Sequence, residues 1–183
     1  MKVRRIVTGR DRDGKSTFWS VGLAPRSLNY VHTPGMCNTQ IWATAARASL
    51  NAPIADPTLS PVTVLPEVGG TAFMIVKFPP DSVMHSPQFD PVAAAKENAA
   101  WLPGLAERFE LDSPGMHTTD TIDYGVVLSG EIWLELDDGA TERLLPHDVV
   151  IQNGTRHAWR NKGNYEAVMA FVLIGAQRVP REA

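Results

Sequence analysis

The chain has 183 residues, of which 44% are hydrophobic and 20% charged, and a formal net charge of -3. That length suits one globular domain, burying about 70% of the surface its unfolded chain exposes. A sequence pI near 5.9, with Lys and Arg scattered rather than clustered, argues against a nucleic-acid partner. The longest apolar run, Ala167 to Ala176, is too short to span a bilayer. Cys37 is the single cysteine, so no intrachain disulfide can form. The first residues lack a signal-peptide pattern, and the expectation is a soluble cytoplasmic protein with no membrane partner.

In chain order, the segments 3–8 and 16–23 read as two strands of a hairpin turned at Asp13–Gly14. A third strand is expected over 38–45, followed by a Pro-, Asp- and Ser-rich loop from about 51 to 70. The apolar run 71–78 predicts a strand that stops at Pro79–Pro80, where the ladder loses its donors. Asp90-Pro91 and the alanine-rich stretch to Leu102 predict a helix capped by Asp90 and ended by Pro103–Gly104. It sits in a long insertion, 81–114, that either plugs one end of the fold or caps a site with Trp101 and His85 reaching inward. Short strands are then expected over 124–128, 131–136, 142–145, 148–152 and 167–175, with a hairpin closed by Asp137-Asp-Gly139. Short strands at this spacing predict an all-β sandwich or closed barrel.

Two stretches carry the chemistry: His117-Thr-Thr-Asp-Thr-Ile-Asp123 and Gly154-Thr-Arg-His157-Ala-Trp-Arg-Asn161. Each sets a histidine beside a strand, so His117, Asp123 and His157 could meet as two imidazoles and a carboxylate, a ligand set for a divalent metal. An Asp123–imidazolium pair would satisfy the same buried charge without metal. Strand alternation turns Asp123, Gly125 and Val127 to one face, with Gly125 leaving space, while His157 and Trp159 share a face. Trp159 then serves either as core or as a flat wall for an unsaturated ligand. Thr119 shares the parity of His117, which brings its hydroxyl to the substrate.

These residues resemble the cupins. That family's first motif places histidine, histidine, an acidic residue and glycine where this chain has His117, Thr119, Asp123 and Gly130. Its second places glycine, proline, glycine, histidine and asparagine at Pro146, Gln152, Gly154, His157 and Asn161. The resemblance spans roughly 71–176. It implies an all-β, cupin-type jelly-roll barrel in one domain, 1–183, with N-terminal strands and arm over 1–50, a barrel core over 71–176 and the helical insertion over 81–114. Metal-binding cupins hold their ion with three first-motif ligands and the second-motif histidine. Here Thr119 replaces one histidine, and Asp123 is a methylene shorter than glutamate. What remains is a triad of His117, Asp123 and His157 for Fe, Mn, Zn, Ni or Co, with His85 as a replacement ligand.

The resemblance implies a metal-dependent enzyme on a small carbonyl- or carboxylate-bearing, partly unsaturated substrate. Lyase, decarboxylase, dehydratase or isomerase chemistry is expected, with an oxygenase as the redox variant. Two alternatives stand beside it. One is a metal-free acid–base dehydratase or cyclase using His117, Asp123 and His157; the other is a non-catalytic ligand-binding module. A homodimer paired through the leading strands, where Ile6, Phe18 and Trp19 lie, is also expected.

Overall fold

The structure is a computed structural model and describes residues 1–50, 54–59 and 62–179. The apolar segments alternate or run continuously as strand chemistry demands. β1 (Arg4–Arg10) and β2 (Ser16–Leu23) form a separate antiparallel hairpin, with Gly14 at φ +79° in its turn. β3 (Arg26–Asn29), β4 (Cys37–Thr44), β5 (Thr71–Phe78), β6 (Thr121–Ser129), β9 (Val149–Asn153) and β11 (Ala167–Gly175) build a sheet in the order β3-β4-β5-β11-β6-β9. β7 (Ile132–Glu135), β8 (Thr141–Leu144) and β10 (Ala158–Arg160) form the facing sheet, ordered β10-β7-β8. Every pairing of named strands is antiparallel, and the crossovers between the sheets make the all-β jelly roll that the sequence predicts.

β11 lies between β5 and β6, which is why its sequence, Ala-Val-Met-Ala-Phe-Val-Leu-Ile-Gly, is apolar on both faces. Its inward Met169, Phe171 and Leu173 pack with Met74, Val76, Val127, Ile132 and Leu144 into the core between the sheets. Each such side chain contributes about 2 kcal/mol on burial. The sequence did not mark β3, since Arg-Ser-Leu-Asn has no apolar alternation. It is recruited by pairing with β4.

The hairpin is anchored by charge as well as by apolar contact. Arg5 donates through Nη1 to the Ile41 carbonyl at 3.0 Å, pairs with Asp56, and stacks 5.4 Å over the Trp42 ring, against which Trp19 packs edge-on at 6.5 Å. Burial alone would raise the Asp56 carboxyl, but the Arg5 guanidinium and the Thr58 donors outweigh it and hold the group down to about 2. The opposite side of the hairpin leaves Ile6, Phe18, Val21 and Leu23 exposed.

The insertion contains helix α1 (Pro91–Trp101), capped as expected: Val92 N and Ala93 N both donate to Asp90 Oδ1 at 3.0 Å. Beyond it, Leu102 and Leu105 pack with Val64, Leu65 and Phe109 into a second apolar cluster. The two sites where the cupin motifs keep small or amide residues are explained by geometry. Gly130 has φ +73°, and a Cβ there would sit 2.5 Å from the Glu166 carbonyl. Asn161, 1% exposed, donates from Nδ2 to the Phe78 and Tyr165 carbonyls at 3.0 and 2.8 Å and accepts from Gly163 N at 3.1 Å. Asn161→Ala orphans three backbone groups and is expected to cost about 2 kcal/mol in a urea titration.

The turn before β9 holds His147 at φ +80° on an exposed surface. The left-handed residue is thus His147 rather than Pro146, one place beyond the expected glycine position. A histidine there carries backbone strain that glycine would not, so His147→Gly is expected to gain up to about 1 kcal/mol in the same titration.

Candidate active site

His117 and His157 are brought together by backbone pairing. His117 N donates to the His157 carbonyl at 2.9 Å and His157 N returns the bond at 3.0 Å, extending the facing sheet by one isolated bridge. Phe109 bridges to the outer side of His117. The imidazole centroids stand 4.2 Å apart, the Phe109 ring lies 4.7 Å from His117, and Trp159 meets His157 edge-on at 5.8 Å. Trp159 continues to Phe171 at 5.3 Å, so a file of rings runs from the insertion into the core.

Both imidazoles are fixed in one tautomer. His117 Nδ1 lies 3.0 Å from the Gly115 carbonyl and His157 Nδ1 lies 3.0 Å from the Thr155 carbonyl. A carbonyl oxygen can only accept, so each Nδ1 carries the hydrogen and each Nε2 keeps a lone pair. The rings are buried, His117 at 8% and His157 at 2% exposure. Burial lowers the His157 pKa to about 4, with the neighbouring His117 adding to the effect and the Thr155 carbonyl opposing it. His117 is lowered as well, again by burial, against the pull of the Gly115 carbonyl and Glu110.

Asp123 lies on β6 in the opposite sheet, paired in register with Leu173 and Gln152. The alternation of β6 follows the expectation: Thr121, Asp123, Gly125 and Val127 are buried, while Ile122 and Tyr124 are exposed. Asp123 is 7% exposed and its Oδ1 has no hydrogen-bond partner. Burial raises its pKa to about 6, opposed by the Thr121 hydroxyl. Thr119, 2% exposed, turns its hydroxyl to Thr121 Oγ1 at 2.8 Å.

The expected metal triad is not assembled. Among the described residues, no group of three or more His, Cys, Asp and Glu could hold a metal ion. Asp123 Oδ1 has no hydrogen-bond partner, and the Thr119 hydroxyl is engaged with Thr121 instead of replacing an imidazole. Among the described residues His117 and His157 bring two imidazoles together, one group short of a three-ligand site.

Other assignments also shift. Gly125 leaves no open space, because a Cβ there would already touch Phe171 and Met169 at 3.3–3.4 Å. Val127, fully buried, belongs to the core. Trp101 docks α1 onto β3, its carbonyl accepting from Arg26 Nη2 at 2.8 Å and its ring lying 5.2 Å under that guanidinium. His85 is exposed.

The insertion does reach the site, through Phe109 rather than Trp101. Phe109 follows the Leu102–Leu105 cluster, and only its apolar character beside Leu105 hinted at this. Arg178 went unnoticed in the sequence because it follows the last strand. Its Nη2 donates to the Thr119 and Gly154 carbonyls, both at 3.0 Å, and its Nε to Asp120 at 2.6 Å, clasping the two histidine-bearing segments. Gly154, at φ +59°, is needed there, since a Cβ would lie 3.0 Å from the Thr119 carbonyl.

No protein-family model matches the chain. Over 65 residues it is 48% identical to phomopsin biosynthesis cluster protein C' of Diaporthe leptostromiformis, covering 35% of this chain and 34% of that protein. Over 72 residues it is 35% identical to a cupin-domain-containing oxidoreductase of Aspergillus ruber, covering 38% of this chain and 35% of the relative. The matched segments thus span about a third of the length of these curated relatives. Among solved structures, a Cupin 2 conserved barrel domain protein of Salinispora arenicola aligns over 77% of this chain and 76% of its own, at 16% identity and a TM-score of 0.39. The jelly-roll fold joins the two motif histidines across one bridge, and over the matched segment the chain is similar to cupin-domain proteins.

Proposed function

We propose that this protein is a cupin enzyme moving a proton on a small carbonyl-bearing molecule, as an isomerase or dehydratase does, with Asp123 as the base. The observation that carries the reading is the unpartnered, buried Asp123 Oδ1. Its pKa near 6 leaves it ionised at neutral pH yet close enough to accept and return a proton. In an isomerisation, Asp123 takes the proton from one carbon, the electron pair of that bond moves toward the carbonyl, and the same carboxyl returns the proton elsewhere. In a dehydration it delivers the proton to the departing hydroxyl, which leaves as water. His117 and His157 present Nε2 lone pairs that orient the hydroxyl or water donors taking part. A panel of β-hydroxy ketones and their conjugated products, followed by the ultraviolet absorbance of the enone, tests this. General base catalysis contributes about 100-fold or more, so Asp123→Asn is expected to lose at least that, and turnover that survives it overturns the reading.

A second, redox reading is favoured by the oxidoreductase name of the Aspergillus ruber relative. Elemental analysis of protein purified without chelator or metal-affinity resin separates the two. The donor set leads to the expectation of substoichiometric metal, unchanged in a His117→Ala, His157→Ala double variant. Stoichiometric Fe, Mn, Zn, Ni or Co, lost in the double variant, would establish the metal reading instead. We also propose that a second copy of the chain covers the exposed Ile6, Phe18, Val21 and Leu23 of the hairpin. A monomer at micromolar concentration in equilibrium ultracentrifugation overturns that assignment.

A further inference from the structure

The buried polar row around Asp123 holds more acceptors than the protein supplies donors. Thr119, Thr121 and Asp123 alternate along the chain at 2%, 2% and 7% exposure. A hydroxyl has one proton to give. Thr119 and Thr121 share one hydrogen bond across their 2.8 Å contact. One acceptor of the row is left over: Asp123 Oδ1, buried and without a hydrogen-bond partner. The paired histidines add two more, because both Nδ1 hydrogens are spent on the Gly115 and Thr155 carbonyls.

The cations nearby are already committed. Arg178 is bound to Asp120 and the Thr119 and Gly154 carbonyls. Arg156 forks onto Glu110 at 2.7 Å through both nitrogens and reaches Asp137 at 2.9 Å. Arg160 is paired with Glu135 and the Pro114 carbonyl. An anion brought to this row would set its lone pairs against those of Asp123 while these three arginines are held by other partners, a buried arrangement that is strongly disfavoured.

We propose that the ligand of this site is a hydrogen-bond donor, neutral or cationic (an alcohol, amide or amine), received by Asp123 Oδ1, and that carboxylates and phosphates are refused. The inference rests on the acid–base reading only in taking this row as the ligand's point of contact.

Benzylamine, benzyl alcohol and benzoate share one ring and differ in the group offered, which makes them suitable probes for the full chain at neutral pH. Binding is read from the imidazole proton signals of His117 and His157. Charge-assisted hydrogen bonds being the strong ones, benzylamine is expected to bind at least about tenfold more tightly than benzoate. Asp123→Asn is expected to weaken benzylamine by a similar factor, while His147→Gly, at the surface, leaves it unchanged. A thermal melt of Asp123→Asn confirms that the variant is folded. Benzoate binding as well as benzylamine, an unaltered affinity in Asp123→Asn, or no binding by any of the three overturns the proposal. The acid–base reading fails separately, through enone turnover that persists without the carboxylate.

Discussion

Asp123→Asn is expected to make the protein more stable, by about 3 kcal/mol at pH 7. An aspartate ordinarily titrates near 3.8, and burial holds Asp123 at about 6. The gap corresponds to about 3 kcal/mol of penalty on the ionised form in the folded state. The sign follows from the direction of the shift. Below pH 3.8 the carboxyl is neutral in both folded and unfolded chains and costs nothing. As pH rises toward 6 the unfolded chain ionises first, stability falls, and above 6 the full penalty is in place. Asparagine keeps the shape without the charge, so its advantage should be largest at pH 7 and vanish near pH 3.8. At this chain length the gain reads as roughly 6–12 °C in melting temperature. A variant that melts below the parent at pH 7 would mean that the carboxylate is well partnered, and the idea would fail. A residue retained at such a cost to stability fits a site held ready for a ligand.

Why the sequence disclosed some of this and not the rest can be traced to particular residues. β5 and β11 were legible to the residue because their apolar runs are bounded by Pro79 and by Gly175, and α1 because Asp90 and Pro91 form a cap whose chemistry is local. His117, Asp123 and His157 were found through motif spacing, and the sheet does bring the two histidines into contact. Spacing along a strand fixes which face a side chain takes but not how far it reaches. Among the described residues Asp123 forms no metal-holding group with the histidines, and a 2.8 Å hydroxyl contact engages Thr119 with Thr121. Gly125 misled for a similar reason: a missing side chain makes room, but Phe171 from the neighbouring strand takes it. Phe109 and Arg178 were invisible because each reaches the site from a loop or tail, where no periodicity reports a partner.

The site therefore sets two opposing demands on the fold. The carboxylate is favoured by acid and the imidazoles are disfavoured by it, each buried in the same domain.

That opposition gives the second large effect. His157 titrates near 6.5 in the unfolded chain and at about 4 in the folded one, because burial and the adjacent His117 disfavour the imidazolium. Its folded pKa is depressed, so its contribution to stability is intact above 6.5 and is lost as pH falls toward 4. The amount is about 3 kcal/mol, and His117 pulls in the same direction. Between pH 6 and 4 Asp123 works the other way and regains what it costs at neutrality. The parent should accordingly lose little stability over that interval from this site. Asp123→Asn removes the compensating carboxyl and should lose about 3 kcal/mol or more between pH 6.5 and 4. Adding His157→Gln should flatten the curve again, since glutamine binds no proton in either state. Urea titrations of the parent, the single variant and the double variant at pH 7, 5.5 and 4 measure all three slopes. Parallel curves for the parent and Asp123→Asn would show that the carboxyl titrates alike in the folded and unfolded chains. A slope that appears in the single variant and disappears in the double one ties acid sensitivity to the imidazole that packs against His117 and Trp159.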